Sequence, residues 1–297
     1  MNKVIVIVGP TAIGKTKLSI ELAKRLDGEI INADSTQIYK GLDIATAKIT
    51  KDEMEGVPHH LIDIKEITED YTVYHYQQDA RKKIDEILKR KKIPIMVGGT
   101  GLYIKAALYD YQFYPETKKY NYEKYSNNEL YQMLLEIDSN TKIHKNNRKR
   151  VERALDYYFN NQEALSQKKN SNQLLYDAIF IGLTTERKKL YERINKRVDE
   201  MMDMGLLEEA KKIYDLNIRT KAVMTPIGYK ELFDYFDGNK TLEESILLIK
   251  QRSRNYAKRQ YTWFNNQMEI NWFETNFNDF AKTVSEVMDF LNQKLNE

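Results

Sequence analysis

Apolar positions in the first hundred residues come in two alternating kinds of run. Residues 3–9, KVIVIVG, are a continuous β-branched stretch of strand length that stops at a glycine. TKLSIELAKRL then spaces Leu18, Leu22 and Leu26 at i, i+4 and i+8, the stripe of an amphipathic helix. GEIINADS reads as a second strand with Asp34 at its C-terminal end, and HHLIDI as a third. Residues 74–91 predict a helix with Ile84, Ile87 and Leu88 on one face and basic residues in the last turn. IPIMVGGTG is a fully apolar strand running into glycines. Strands apolar throughout and separated by helices predict a parallel sheet covered on both faces. The ligand crevice is then expected at the C-terminal strand ends, where the loop after residue 9, Asp34 and Gly98–Gly99–Thr100 all fall.

From Phe113 the pattern changes. YQFYPETKKYNYEKYSNN is polar and tyrosine-rich, without strand alternation, and is followed by the candidate helices NELYQMLLEID and NNRKRVERALDYYFNN. The strand signal returns at YDAIFIGLT, residues 176–184. The expected organisation is a discontinuous α/β core, residues 1–112 and 176–297, with a helical insertion at 113–175 that extends to about 215 if the next helices belong to it. The remainder reads as mostly helical, with Gly205 breaking one long helical run and MEINWF as a last edge strand.

Composition narrows the classes. The chain has 297 residues, 41% hydrophobic and 31% charged, as in a soluble globular protein. It has no apolar run long enough to span a membrane. The short apolar start MNKVIVIVGP reads as a strand rather than a signal peptide, so a cytoplasmic location is expected. The absence of cysteine excludes disulfides, thiolate metal sites and Cys nucleophiles. No heptad pattern or large apolar face stands out, so a monomer is expected. The net charge of +3 is mild, but the cations are clustered. Lys142, Lys145, Arg148, Lys149, Arg150 and Arg153 face one acid, Glu152, and a second group is Arg252, Arg254, Lys258 and Arg259. Tyrosines beside these runs suit stacked RNA bases as well as amphipathic packing.

The chemistry begins with GPTAIGKT, a G-x-x-x-x-G-K-[ST] phosphate loop lying between a strand and a helix. Gly9 and Gly14 let backbone N–H groups turn inward, Lys15 supplies a point charge, and the Thr16 hydroxyl can hold Mg²⁺. The fold class expected is therefore a P-loop NTPase-like parallel sheet core flanked by helices, with a helical insertion domain. No N-K-x-D string for a guanine base occurs. Asp34 could hold Mg²⁺ in a kinase, could cap a turn, or could, with the rest of DSTQIY, read a polar acceptor group. Thr100 of GGTGLY is either a crevice-rim hydroxyl or the N-cap of the next helix.

GPTAIGKTKLS, INADSTQIYKGLDIATAK, VPHHLIDI, IPIMVGGTGLYIKAAL, NNRKRVERAL, RINKRVDEMMDMGLLEEA, IGYKEL and AKRQYTWF occur in this order. Together they resemble the tRNA dimethylallyltransferase (tRNA isopentenyltransferase) family, from Val4 to about Phe264, with little contribution from 113–140. The resemblance implies transfer of a dimethylallyl group from dimethylallyl diphosphate to N6 of the adenosine at tRNA position 37, beside the anticodon, with Mg²⁺ as cofactor. It places the diphosphate on Gly9, Pro10, Thr11, Ala12, Ile13, Gly14, Lys15 and Thr16, with Thr16 on Mg²⁺. Asp34 becomes the general base, Thr11 and Thr100 line the channel, and Lys15 and Thr100 join Asp34 in catalysis. The tRNA contacts are Asp34, Ser35, Thr36, Gln37 and Thr100, together with Lys149, Arg150 and Arg153 of the basic helix in the insertion.

Two positions depart from the family. Many members have Gln where this chain has Lys149. Some have an arginine where it has Thr225, and Lys230, Arg254 or Arg259 would then supply the missing charge on the diphosphate. Three other readings share parts of the sequence: a small-molecule or nucleoside kinase, an RNA-binding protein with a relic phosphate loop, and a prenyltransferase acting on free AMP. The basic insertion speaks against the first and the last.

Overall fold

A computed structural model describes residues 3–113, 118–167 and 172–296. Part of the polar segment after Phe113, residues 114–117, lies outside them. The chain divides into two compact units, one of residues 1–109 with 174–297 and one of residues 110–173.

The larger unit is built on a six-stranded sheet in the order β3-β2-β4-β1-β5-β6, with every pairing parallel. Its strands are β1 (Lys3–Val8), β2 (Gly28–Asn32), β3 (His59–His60), β4 (Ile93–Val97), β5 (Asp177–Thr184) and β6 (Asn271–Glu274). β1 is central, and Val4 to Val8 have no exposed surface because helices cover both sheet faces. Alternate side chains enter different cores: Val4, Val6 and Val8 on one side, Ile5 and Ile7 on the other. This explains why β1 reads as an unbroken apolar run. The two outer strands are short. HHLIDI, expected as a full strand, pairs only through His59 and His60, because Leu61 (φ 62°) and Asp63 (φ 54°) turn into the left-handed region and leave the sheet. MEINWF supplies β6 at the opposite edge.

Helices of this unit are α1 (Lys15–Leu26), α2 (Val73–Lys89), α3 (Gly101–Leu108), α6 (Arg187–Asp203), α7 (Leu206–Asp215), α8 (Lys221–Met224), α9 (Tyr229–Phe236), α10 (Leu242–Gln267) and α11 (Phe280–Asn296); α4 (Asn127–Ile137) and α5 (Arg148–Asn161) belong to the smaller unit. Gly205 separates α6 from α7 at φ 100°, a conformation only glycine adopts cheaply. Thr241 and Glu244 close a capping box that starts α10, a feature that stabilises a helix by about 1 kcal/mol. The sequence pattern does not single out α11; its Val284, Val287 and Leu291 pack into the core on the α1 side.

The smaller unit pairs α4 (Asn127–Ile137) with α5 (Arg148–Asn161) around Leu130, Leu134, Val151 and Leu155. Its basic run separates by role. Arg148 is internal structure: its guanidinium pairs with Glu152 at 2.7 Å and donates to the Tyr122 and Tyr125 carbonyls, each at 2.8 Å. Lys149, Arg150 and Arg153 are exposed on α5 and make no ion pair among the described residues.

Candidate active site

The phosphate loop follows β1 directly. Gly14, at φ 102°, ends the loop and precedes α1, so the loop backbone curls where a side chain would be strained. Lys15 folds back, and its Nζ donates to the Pro10 carbonyl at 2.7 Å. Burial first, and the Arg197 guanidinium second, bring Lys15 down to about 7 against the opposing pull of Asp34. Among the described residues no side chain or backbone group engages the Thr16 hydroxyl; only the Thr16 backbone carbonyl is used, by Ser19.

Two arginines of α6 meet this loop. Arg193 Nε donates to the Ala12 carbonyl at 3.0 Å, and Arg197 Nη1 lies 3.4 Å from Thr11 Oγ1. Sequence reasoning assigned neither. Their signal is nonetheless present: Leu190, Ile194 and Val198 mark the buried stripe of α6, and Arg197 sits immediately beside it. A cation at such a boundary either snorkels outward or faces a polar site. Arg197 does the second, and burial lowers its pKa.

Asp34 is held by its neighbours. Asn32, which is buried, accepts from the Asp34 N–H through Oδ1 at 3.0 Å and donates through Nδ2 to the Asp34 carbonyl at 3.1 Å and the Leu61 carbonyl at 2.9 Å. The Tyr76 hydroxyl fixes the Asn32 carbonyl at 2.9 Å, and Tyr76 itself stacks on Tyr103. Oδ1 of Asp34 accepts from the N–H and hydroxyl of Thr36, at 2.9 and 2.7 Å. This is the turn-capping geometry expected as one alternative. It occupies one carboxylate oxygen; Oδ2 has no protein donor among the described residues and can accept a proton from a ligand.

The end of β4 packs tightly against the end of β2. A Cβ on Gly98 would lie 2.2 Å from the Ala33 carbonyl group, and one on Gly99 would lie 2.0 Å from Gln260 Nε2, so both glycines answer to close approach. Thr100 precedes α3 but makes no side-chain cap. Its hydroxyl oxygen instead accepts from the Ser35 N–H at 3.1 Å and lies 3.3 Å from Ser35 Oγ, tying β4 to the Asp34 turn. Gln37 is similarly occupied: Nε2 donates to the Thr46 and Ala47 carbonyls.

These pieces surround a cavity of about 370 Å³. Thr11, Lys15, Thr16, Arg197 and Arg259 line its polar side, and Asn32, Asp34, Ser35, Thr36 and Gln37 the acceptor side. The same cavity is also lined by the apolar side chains of Ala45, Ile194, Val198, Met201, Ile227 and Ile249. A second opening, of about 700 Å³, reaches Gly14, Lys15, Thr16 and Arg197 past Ile44, Ile49 and Met204. Thr100 reaches this cavity through Ser35, which lines it and which its hydroxyl contacts. Of the three cations expected to replace an arginine at Thr225, Arg259 lines the cavity, as does Thr225 itself. Arg254 instead donates to Asn195 Oδ1 at 2.6 Å, and Lys230 is exposed on α9; neither lines the cavity. Lys149, Arg150 and Arg153 belong to the smaller unit.

Known proteins resemble this chain over nearly its whole length. The tRNA dimethylallyltransferase of Anoxybacillus flavithermus is 52% identical over 99% of this chain and 97% of its own length. The crystal structure of the full-length tRNA isopentenylpyrophosphate transferase of Bacillus halodurans is 45% identical, with a TM-score of 0.79 over 100% of this chain and 97% of that one. A eukaryotic dimethylallyltransferase captured acting on tRNA is 31% identical, with a TM-score of 0.86 over 98% of this chain and 80% of its own. The family model described as IPP transferase matches residues 37–267, and the chain belongs to the IPP transferase family.

Proposed function

We propose that this protein transfers the dimethylallyl group of dimethylallyl diphosphate to N6 of the adenosine at tRNA position 37. The observation that carries the reading is the composition of the cavity at the phosphate loop. One cavity brings together loop residues Thr11, Lys15 and Thr16, the cations Arg197 and Arg259, the Asp34 carboxylate, whose Oδ2 has no protein donor among the described residues, and several apolar side chains. The apolar side chains suit a branched five-carbon chain.

Exocyclic N6 of adenine is a weak nucleophile because its lone pair is delocalised into the ring. Its attack on C1 of the donor forms the N6–C1 bond while the C1–O bond breaks, and the electron pair leaves with the diphosphate. The N6 proton passes to Oδ2 of Asp34, a general-base contribution of about 10²–10⁴-fold. Lys15, Arg197 and the loop N–H groups meet the charge growing on the leaving oxygen. A diphosphate beside Lys15 favours its ammonium form.

The residues also fit Mg²⁺. Among the described residues the Thr16 hydroxyl is unclaimed, and no cluster of three or more His, Asp or Glu suited to a metal occurs. The ion would therefore take hard oxygens from Thr16, the diphosphate and water, a set that suits it. When bound, it would add charge neutralisation at the leaving group.

The target base must leave the anticodon loop to enter the cavity, at a cost of a few kcal/mol. Lys149, Arg150 and Arg153, exposed and without an ion pair among the described residues, supply phosphate contacts that offset this cost. Among the described residues no helix is long and apolar enough to cross a membrane. A tRNA substrate fits a cytoplasmic location. The test is incorporation of a donor labelled in its prenyl carbons into unmodified tRNA transcripts. Label should enter a transcript with adenosine at position 37 and not one with guanosine there; equal labelling of both would refute the assignment.

A further inference from the structure

Donor and acceptor are held by different strands: the phosphate loop follows β1, whereas the Gly98–Gly99–Thr100 turn that braces Ser35 follows β4. One buried side chain touches both. Gln260 of α10 accepts from the Thr11 N–H through Oε1 at 3.1 Å and donates through Nε2 to the Gly99 carbonyl at 3.2 Å. The amide orientation is unambiguous, because Thr11 offers only a donor there and Gly99 only an acceptor. One turn earlier on α10, the Tyr256 hydroxyl interacts with Thr100 and with Gln260. The fit is tight, since any side chain at residue 99 would collide with Nε2.

From this geometry we infer that Gln260 is a positioning residue for the transfer step. It is a joint that fixes the distance between the diphosphate loop and the turn behind the acceptor base. The inference rests on the prenyl-transfer reading above. Displacement at carbon requires the attacking nitrogen, C1 and the leaving oxygen in near-linear register, and an error of about 1 Å costs about 10²-fold in rate. Each loop can bind its own substrate without the joint. What disappears without it is the register between the two.

Gln260→Met keeps the volume and removes both hydrogen bonds. Gly99→Ala attacks the same joint from the other side and serves equally if the first variant folds poorly in a thermal melt. Rates are measured with each substrate varied separately, alongside calorimetric binding of inorganic diphosphate. The expected result is a fall in kcat of about 10²-fold, with both KM values and the diphosphate Kd within about threefold, and with the double variant no slower than the worse single one. Three results overturn the inference: kcat within about threefold of the parent in both variants, a diphosphate Kd that weakens in step with kcat, or losses that multiply in the double variant. Failure of the parent to transfer a prenyl group at all would instead sink the reading beneath it.

Discussion

Asn32 grips Asp34 from both ends of its backbone, accepting from its N–H at 3.0 Å and donating to its carbonyl at 3.1 Å. The carboxylate is thus aimed by a residue two positions earlier that is itself buried in the sheet. Asp34→Asn keeps this scaffold and removes the proposed base. Its kcat should fall by about 10²–10⁴-fold, with tRNA affinity changed by no more than a few-fold in a filter-binding assay. Asn32→Ala strands several polar groups; it should destabilise the protein by about 1–3 kcal/mol in urea and lower kcat as well.

Arg197 and Lys230 make opposite predictions. Arg197→Met removes a cation from the cavity wall beside Thr11. It should raise the KM for dimethylallyl diphosphate and lower kcat by about 10²-fold, since charge at the leaving group matters most in the transition state. Lys230→Met, on exposed α9, should leave both constants within about twofold. Equal effects of the two would contradict the placement of the diphosphate.

Lys15 links diphosphate binding to pH. Its folded pKa of about 7 lies below the ordinary lysine value of 10.5. Between these values the unfolded chain holds a proton that the folded one lacks, so this group makes stability rise with pH from about 7 to about 10.5. A bound diphosphate restores the ammonium, so binding above pH 7 takes up a proton. Calorimetry at pH 8 in buffers of different ionisation enthalpy should show that uptake, and Lys15→Met should abolish it.

Glu209 anchors the loop that lines both openings. Its carboxylate accepts from the N–H groups of Asp43, Ile44 and Ala45 at 3.0, 2.9 and 3.1 Å, and from the Tyr229 hydroxyl at 2.7 Å. Glu209→Gln removes the charge that these donors share, and unfolding in urea should show a loss of about 1–3 kcal/mol.

On α5 the exposed cations should act through salt. Charge reversal at Arg150 and Arg153 should raise the KM for tRNA and flatten the dependence of log K on log salt by roughly one unit for each phosphate that is no longer neutralised. Arg148→Ala should instead destabilise the smaller unit, because it abandons the Tyr122 and Tyr125 carbonyls.

How much of this is legible in the sequence depends on whether the signal is local. β1, the phosphate loop and α1 form one contiguous strand–loop–helix phrase, and the apolar run of β1 follows from its burial on both faces. Asp34 stands out because it follows directly on the apolar run of β2. The residues that sequence reasoning misses act across the fold. Arg197 is one cation in a helix full of them, distinguished only by packing beside Ile194 and Val198. Gln260 meets Thr11 across 249 residues of chain, a relation no local pattern carries. Thr100 looks like a helix cap, and its hydroxyl turns to Ser35 because the ends of β2 and β4 are pressed together at Gly98. HHLIDI fails as a strand where two residues with positive φ interrupt it, which alternation of side chains cannot reveal.

The most direct test of the central claim is a nucleoside mass spectrum of unmodified tRNA after incubation with the protein and Mg²⁺, with dimethylallyl diphosphate in one tube and ATP in another. The account predicts N6-dimethylallyladenosine at position 37 in the first tube and unaltered tRNA in the second. Unmodified adenosine in the first tube, with phosphate released or transferred in the second, would contradict it and make the loop an ATP site.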